Sequence, residues 1–334
     1  MLLRRLGILY VLSAAILNPL KAQVVPAASG TKDSVTAKVS PFTDQLRKTV
    51  VFLQVNFIKD GSPQSIAGTG FFVFYPDERL GKDVGFTYLV TNRHMATPGV
   101  EEGHSYPVQR YSARLNIKKR PPSGEGTESK EFPLVVGHGI SWHFPADTSV
   151  DLAVIPVNPE QVSADYVAVP VSQIATKEVI QAQQITAGDQ VVFAGYFYQW
   201  PGEKRIQPIV RQGILAMMPD EQIRTTLREP GNMFLADIHA FHGNSGSPIF
   251  VNTGGIRAGQ LSASLYLLLG IVSGYYPESE TNFSVPAARV LTGEVRDNSG
   301  VTAIVPASEL KALLDTTELK QAREASVEKF LKMK

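Results

Sequence analysis

The chain has 334 residues, 43% hydrophobic and 19% charged, enough apolar material for one large domain or two modest ones. Its 32 basic and 31 acidic residues nearly cancel, so no global charge favours a nucleic acid or another polyanion as partner. There is no cysteine, which excludes disulfides, thiolate nucleophiles and cysteine-based metal sites.

The N-terminus carries Arg4 and Arg5, then an apolar stretch over 6–17, then Ala22 as a small residue before a cleavage point. That is the pattern of a signal peptide over 1–22. The apolar stretch is shorter than the ~20 residues that span a bilayer, so no stable membrane insertion is expected once it is removed. Residues 23–40 are small and polar and read as a linker or pro-segment. Runs rich in β-branched and aromatic residues at 49–58, 66–75, 85–91, 111–117, 132–136 and 150–157 predict strands. Between them, 118–130 holds two prolines and two glycines and reads as an exposed loop. Residues 158–188 lose strand character and form the best link between two halves. Strand patterns resume at 190–194, 208–216, 233–238, 248–251, 267–273 and 301–305. The tail, 307–334, repeats leucines among Lys, Glu and Ala and predicts one or two helices, with Ser308 as N-cap. Many short strands with one helical end predict an all-β sandwich or barrel.

Three segments carry chemistry. Leu89–Val–Thr–Asn–Arg–His94 ends a strand on a histidine, Ser149–Val–Asp151 starts one on an acid, and Gly243–Asn–Ser245–Gly–Ser–Pro248 sets a serine between glycines. A serine hydroxyl needs an adjacent base, and a histidine with a reference pKa of ~6.5 suits that task. A buried carboxylate can fix the histidine tautomer. Glycines let backbone N–H groups converge on one point, so the amides of Gly243 and Ser245 could hold an oxyanion.

In the order His, Asp, Ser these segments resemble the trypsin/chymotrypsin-like serine peptidase family. Gly68–Thr–Gly70–Phe71, the segment 188–196 and Leu269–Gly–Ile–Val–Ser273–Gly274 add to the resemblance, which covers roughly 43–314. It implies two six-stranded antiparallel β-barrels, the first (41–160) holding His94 and Asp151 and the second (161–306) holding Ser245, with a C-terminal helix over 307–334. It implies a Ser-His-Asp triad acting through an acyl-enzyme on a peptide or protein substrate, with no cofactor. Substrate would pair along Ser273 and Gly274. Around the serine the chain is similar to bacterial glutamyl endopeptidases, but Val272 stands where those carry a substrate-reading histidine; His239 is a second candidate for the pocket wall. A cysteine-free exported chain of this kind fits a bacterial periplasmic or secreted protein. The rival expectation is a catalytically silent peptide- or protein-binding module on the same scaffold.

Other candidates read more plainly. Asp237, His239 and His242 have metal-ligand types, but the i, i+3 histidine spacing in a strand or loop does not share a face, so no metal is expected. His104, His138 and His143 read as surface or locally bonded residues. Tyr196, Tyr198 and Trp200 read as buried or half-buried packing, and Tyr275 and Tyr276 as better candidates for peptide contact.

Overall fold

A computed structural model describes residues 12–14, 42–81, 83–118, 128–134, 136, 140–159, 164–257, 260–262, 265–277 and 298–333. Most of the leader (1–22), the whole of the 23–40 linker, the centre of the 118–130 loop and His138 lie outside these residues. Leu12–Ala14 is described as a short strand antiparallel to Val84–Thr91.

The first half holds β1 (Val50–Lys59), β2 (Ser62–Pro76), β3 (Val84–Thr91), β4 (Val108–Asn116), β5 (Ser129–Leu134) and β6 (Ala153–Val157). They pair antiparallel in the order β5-β4-β1-β2-β3-β6. The β1–β2 hairpin turns on Asp60 (φ 51°) and Gly61 (φ 76°), the two positive φ values that a two-residue type I′ turn demands. The second half holds β7 (Gln190–Gly195), β8 (Ile209–Met217), β9 (Phe234–Asp237), β10 (Pro248–Asn252), β11 (Tyr266–Pro277) and β12 (Asn298–Pro306). These close into a barrel in the order β8-β9-β12-β11-β10-β7.

The all-β class and the six-plus-six arrangement are as expected, but only the second set closes. Among the described residues no pairing joins β5 to β6. Each of these strands contains a proline, Pro133 and Pro156, which has no N–H to give to a neighbour. An apolar cavity of about 310 Å³ lies there, lined by Phe72, Phe132, Leu134, Ile155 and Val157 among others.

The link contains a short helix, Lys177–Ala182, whose N-cap Thr176 accepts from the Val179 N–H. The tail forms two helices, α1 (Ala307–Leu314) and α2 (Thr317–Met333). Ser308 is not the N-cap: Pro306 holds that place without a side-chain bond, because the chain runs straight out of β12 into the helix. Leu310, Leu313 and Leu314 of α1 and Leu319 and Val327 of α2 are buried in one cluster. That cluster also holds Val73, Tyr88 and Leu152 of the first half and Phe250, Leu268 and Val305 of the second. Full burial of one such leucine contributes about 1.5–3 kcal/mol. The tail therefore takes over part of the bracing that disulfides would supply. Arg323 of α2 adds a specific contact: it is buried, stacks 4.0 Å from the Tyr75 ring centre and donates to the Tyr88 hydroxyl at 3.1 Å.

Candidate active site

β3 and β6 are antiparallel neighbours with Thr91 opposite Ala153, so the residues just past the end of one meet those just before the start of the other. This is why two distant segments of sequence converge. Asn92 donates from Nδ2 to the Asp151 carbonyl (2.9 Å), and Arg93 donates to the carbonyls of Val150 (3.2 Å) and Pro145 (2.7 Å). His94 follows in a one-turn helix, Arg93–Ala96, rather than at the strand end itself.

Asp151 is fully buried. Its Oδ1 accepts the His94 backbone N–H at 3.1 Å, and its Oδ2 lies 2.8 Å from His94 Nδ1. An ionised carboxylate only accepts, so the proton of the imidazole sits on Nδ1 and Nε2 is left with a lone pair. Oδ2 also accepts the Ser273 hydroxyl at 2.5 Å. Burial pushes the Asp151 carboxyl up, but the His94 charge and the bonds from His94 and Ser273 outweigh it and hold it below the usual carboxylate range. For His94, burial pushes down, and the Asp151 charge and hydrogen bond outweigh it and raise the imidazole above its ordinary value.

Ser245 stands between β9 and β10 in a loop built from the same Gly-Asn-Ser-Gly-Ser-Pro run. Asn244, 2% exposed, staples the loop: its Oδ1 accepts from the Phe241 N–H (2.9 Å) and its Nδ2 donates to the Tyr196 carbonyl (2.7 Å). Thr69 of β2 holds the loop from the other half. Its N–H donates to the Ser245 carbonyl (2.9 Å) and its hydroxyl to the Gly243 carbonyl (2.7 Å). Gly246 has φ +84°, and a Cβ there would fall 1.9 Å from the Thr69 carbonyl oxygen, so only glycine fits. Gly68 lets the two sides meet: a Cβ there would lie 2.8 Å from Met95, next to His94, and 3.3 Å from the Ser245 carbonyl oxygen. The Ser245 hydroxyl donates to the Ser273 carbonyl over 3.3 Å, and no hydrogen bond joins it to His94. The backbone N–H groups of Gly243 and Ser245 meet no protein acceptor among the described residues.

Of the expected substrate wall, Ser273 lies between Ser245 and Asp151, bonded to both through different atoms. Its hydroxyl was missed by a reading that gave it only a backbone part. Gly274 follows it, with the Thr226 methyl 3.2 Å from where a Cβ would be. Val272 has no exposed surface; its side chain packs in the barrel core, and only its backbone serves the site, accepting from the Gly246 N–H at 2.8 Å. His239 is exposed, with its ring against Gly300. His239 turns to Phe241 and His242 to Tyr275, so the two do not converge. Of the two readings given to His143, surface or locally bonded, the structure shows the second: it is buried, with Nδ1 3.2 Å from Glu318 of α2. Tyr198 and Trp200 are 66% and 55% exposed, against the expectation of packing; Tyr196 alone packs, edge-on to Phe52. Tyr275 and Tyr276 are half-buried at the end of β11.

A family description, Trypsin-like peptidase domain, matches residues 68–257, more than half of the chain and the whole stretch from Gly68 through His94 and Asp151 to Ser245.

The chain belongs to the trypsin-like peptidase family.

Among solved structures it is similar to that titled Crystal structure of Deg5, at 16% identity and a TM-score of 0.40, over 70% of this chain and 82% of that one. It is also similar to the HtrA-type protease AlgW with a decapeptide, at 13% identity and a TM-score of 0.43, over 83% and 64% of the two chains. No curated protein matches. Membership of a peptidase family fits a peptide or protein substrate. No helix among the described residues is long and apolar enough to cross a membrane.

Proposed function

We propose that this peptidase is a serine endopeptidase working through an acyl-enzyme, with Ser245 as nucleophile, His94 as base and Asp151 orienting His94. The Ser245 oxygen attacks the peptide carbonyl carbon as its proton passes to His94 Nε2. The carbonyl electron pair moves onto oxygen, which the Gly243 and Ser245 N–H groups receive. Collapse breaks the C–N bond, and the proton on His94 goes to the leaving amine. Water, deprotonated by His94, then adds to the ester and frees Ser245. The observation that carries this reading is the His94 ring held on Asp151 through Nδ1 at 2.8 Å, with Nε2 left for proton transfer. Substrate would lie as an extended strand beside Ser273 and Gly274, its N–H replacing the long Ser245 bond to the Ser273 carbonyl. The leader-like 1–22 supports export to the periplasm or medium.

A binding module on the same scaffold is the second reading. It is favoured by the Ser245 hydroxyl turning to Ser273 rather than His94, and by Thr226 packing over Gly274. Treatment of purified protein with a fluorophosphonate, read by intact mass, separates the two. One adduct on wild type and none on Ser245→Ala is the expected result, and the same mass shows whether 1–22 has been removed. No adduct at any pH between roughly 6 and 9, where the base titrates, sinks the endopeptidase reading.

A further inference from the structure

Ile223–Arg224 and Pro230–Gly231 pair as a small hairpin in the crossing from β8 to β9. It lies against both halves. Thr148 donates to Glu229 at 3.0 Å, a Cβ at Gly231 would fall 2.6 Å from the Ser149 hydroxyl, and Tyr276 donates to the Arg224 carbonyl. At its tip, Thr226 Oγ1 lies 2.5 Å from Ser273 Oγ.

The direction of that bond follows from counting protons. The Asp151 carboxylate can only accept, so the single hydroxyl proton of Ser273 is given to Asp151. Ser273 Oγ then has only lone pairs to offer Thr226, and the Thr226 hydroxyl must be the donor. A chain of donors results: Thr226 to Ser273, Ser273 to Asp151, with His94 donating to Asp151 from the other side. Each bond in such a chain polarises the next, most strongly in a buried setting. Ser273 is 2% exposed and Asp151 is fully buried.

We infer that Thr226 is a positioning residue that acts through Ser273 to hold the Asp151 carboxylate and to moderate its charge towards His94. This rests on the endopeptidase reading for its kinetic consequence but not for its effect on His94. Thr226 itself is hydrogen-bonded to neither His94 nor Ser245; its bond is to Ser273. Its donation strengthens the Ser273 bond, draws negative charge off Asp151, and so limits how far Asp151 raises the imidazole. The other charged groups acting on this pair are Glu101, which faces His94, and Arg93, which feels Asp151, Asp147 and Glu229. None of them bonds to Ser273.

The test compares wild type, Thr226→Val and Thr226→Ser. Valine keeps the shape and the methyl over Gly274 but removes the donor; serine restores the donor and drops the methyl. The His94 pKa is read from the imidazole resonances by NMR, and kcat and KM from peptide hydrolysis over pH. In Thr226→Val the His94 pKa should rise and kcat should fall about three- to tenfold, the worth of one hydrogen bond, with KM little changed. Thr226→Ser should restore both. An unmoved His94 pKa in a folded Thr226→Val protein overturns the inference. So does a loss that serine fails to restore, or one confined to KM, since each means that packing over Gly274 is all Thr226 does. The NMR reading stands even for a protein that hydrolyses nothing. Failure of the endopeptidase reading would appear separately, as absent fluorophosphonate labelling of wild type.

Discussion

The two sides of the site are built in opposite ways. On the acid side both carboxylate oxygens are engaged: Asp151 is fully buried and takes three donors, from the His94 ring, the His94 backbone and Ser273. On the nucleophile side the loop is rigid but its working atoms are left open. Ser245 is half-buried with one 3.3 Å bond, and the amides of Gly243 and Ser245 have no protein acceptor among the described residues. In the proposed reaction the difference follows from what each side would have to do. A buried carboxylate without donors costs several kcal/mol, so the folded protein must satisfy it in advance. Oxyanion donors are useful only if nothing in the protein occupies them before charge develops on substrate.

The contrast can be broken from either side. Asp151→Asn should have the largest effect. An amide presents N–H as readily as C=O to the ring, so His94 loses its fixed Nδ1 proton while the surrounding shape is kept. Peptide hydrolysis should fall about 10⁴-fold with the fold intact by circular dichroism. A loss under about tenfold would mean that the saturated acid side is structural only. Asn244→Ala attacks the other side without touching its working atoms. It unstaples the Phe241 N–H and the Tyr196 carbonyl and lets Gly243 drift. A loss of about 10²-fold in kcat is expected, the worth of one misplaced oxyanion donor, together with a lower melting temperature. A lower melting temperature with kcat unchanged would show that Asn244 supports the fold and not the amides.

How much of this was legible in the sequence depends on how local each signal is. The strands were readable because β-branched and aromatic runs are local, and His94, Asp151 and Ser245 stood out as candidates because each sits in a short characteristic segment; the structure joins the first two and leaves the Ser245 hydroxyl on Ser273. The failures are non-local. Whether β5 meets β6 depends on two strand edges far apart in the chain, and Pro133 and Pro156 hint at the gap only once those edges are known to face each other. Val272 alternates with Ser273 along β11, so its side chain faces the barrel core, where residue type alone cannot place it. Thr226 lies in a polar stretch with no distinguishing pattern, and only the hairpin's docking brings it to Ser273. Asn244 and Thr69 were within the quoted motifs, yet their work is done by side-chain bonds to backbone that no motif displays.

The smallest predicted effect, a displaced pH profile, tests the contrast at its joint, because His94 belongs to both sides. Burial alone would lower its pKa below the ordinary 6.5, while Asp151 raises it, and the raising wins. The base must be neutral to accept the Ser245 proton, so kcat/KM should rise with pH through a midpoint above 6.5 and fall in proportion to proton concentration below it. The linked stability has the opposite sense for the two partners. The raised His94 contributes stability that is present at low pH and lost as pH climbs through its folded pKa. The lowered Asp151 contributes stability that is present at higher pH and lost as pH drops through its folded pKa. Between those two values the pair is charged on both members and the fold is supported, although the base is protonated. Acid inactivation just below the kinetic midpoint should therefore be instantly reversible, with unchanged circular dichroism. A midpoint below 6.5 would mean that burial of His94 outweighs Asp151. In that case the acid side would serve to orient the ring without charging it.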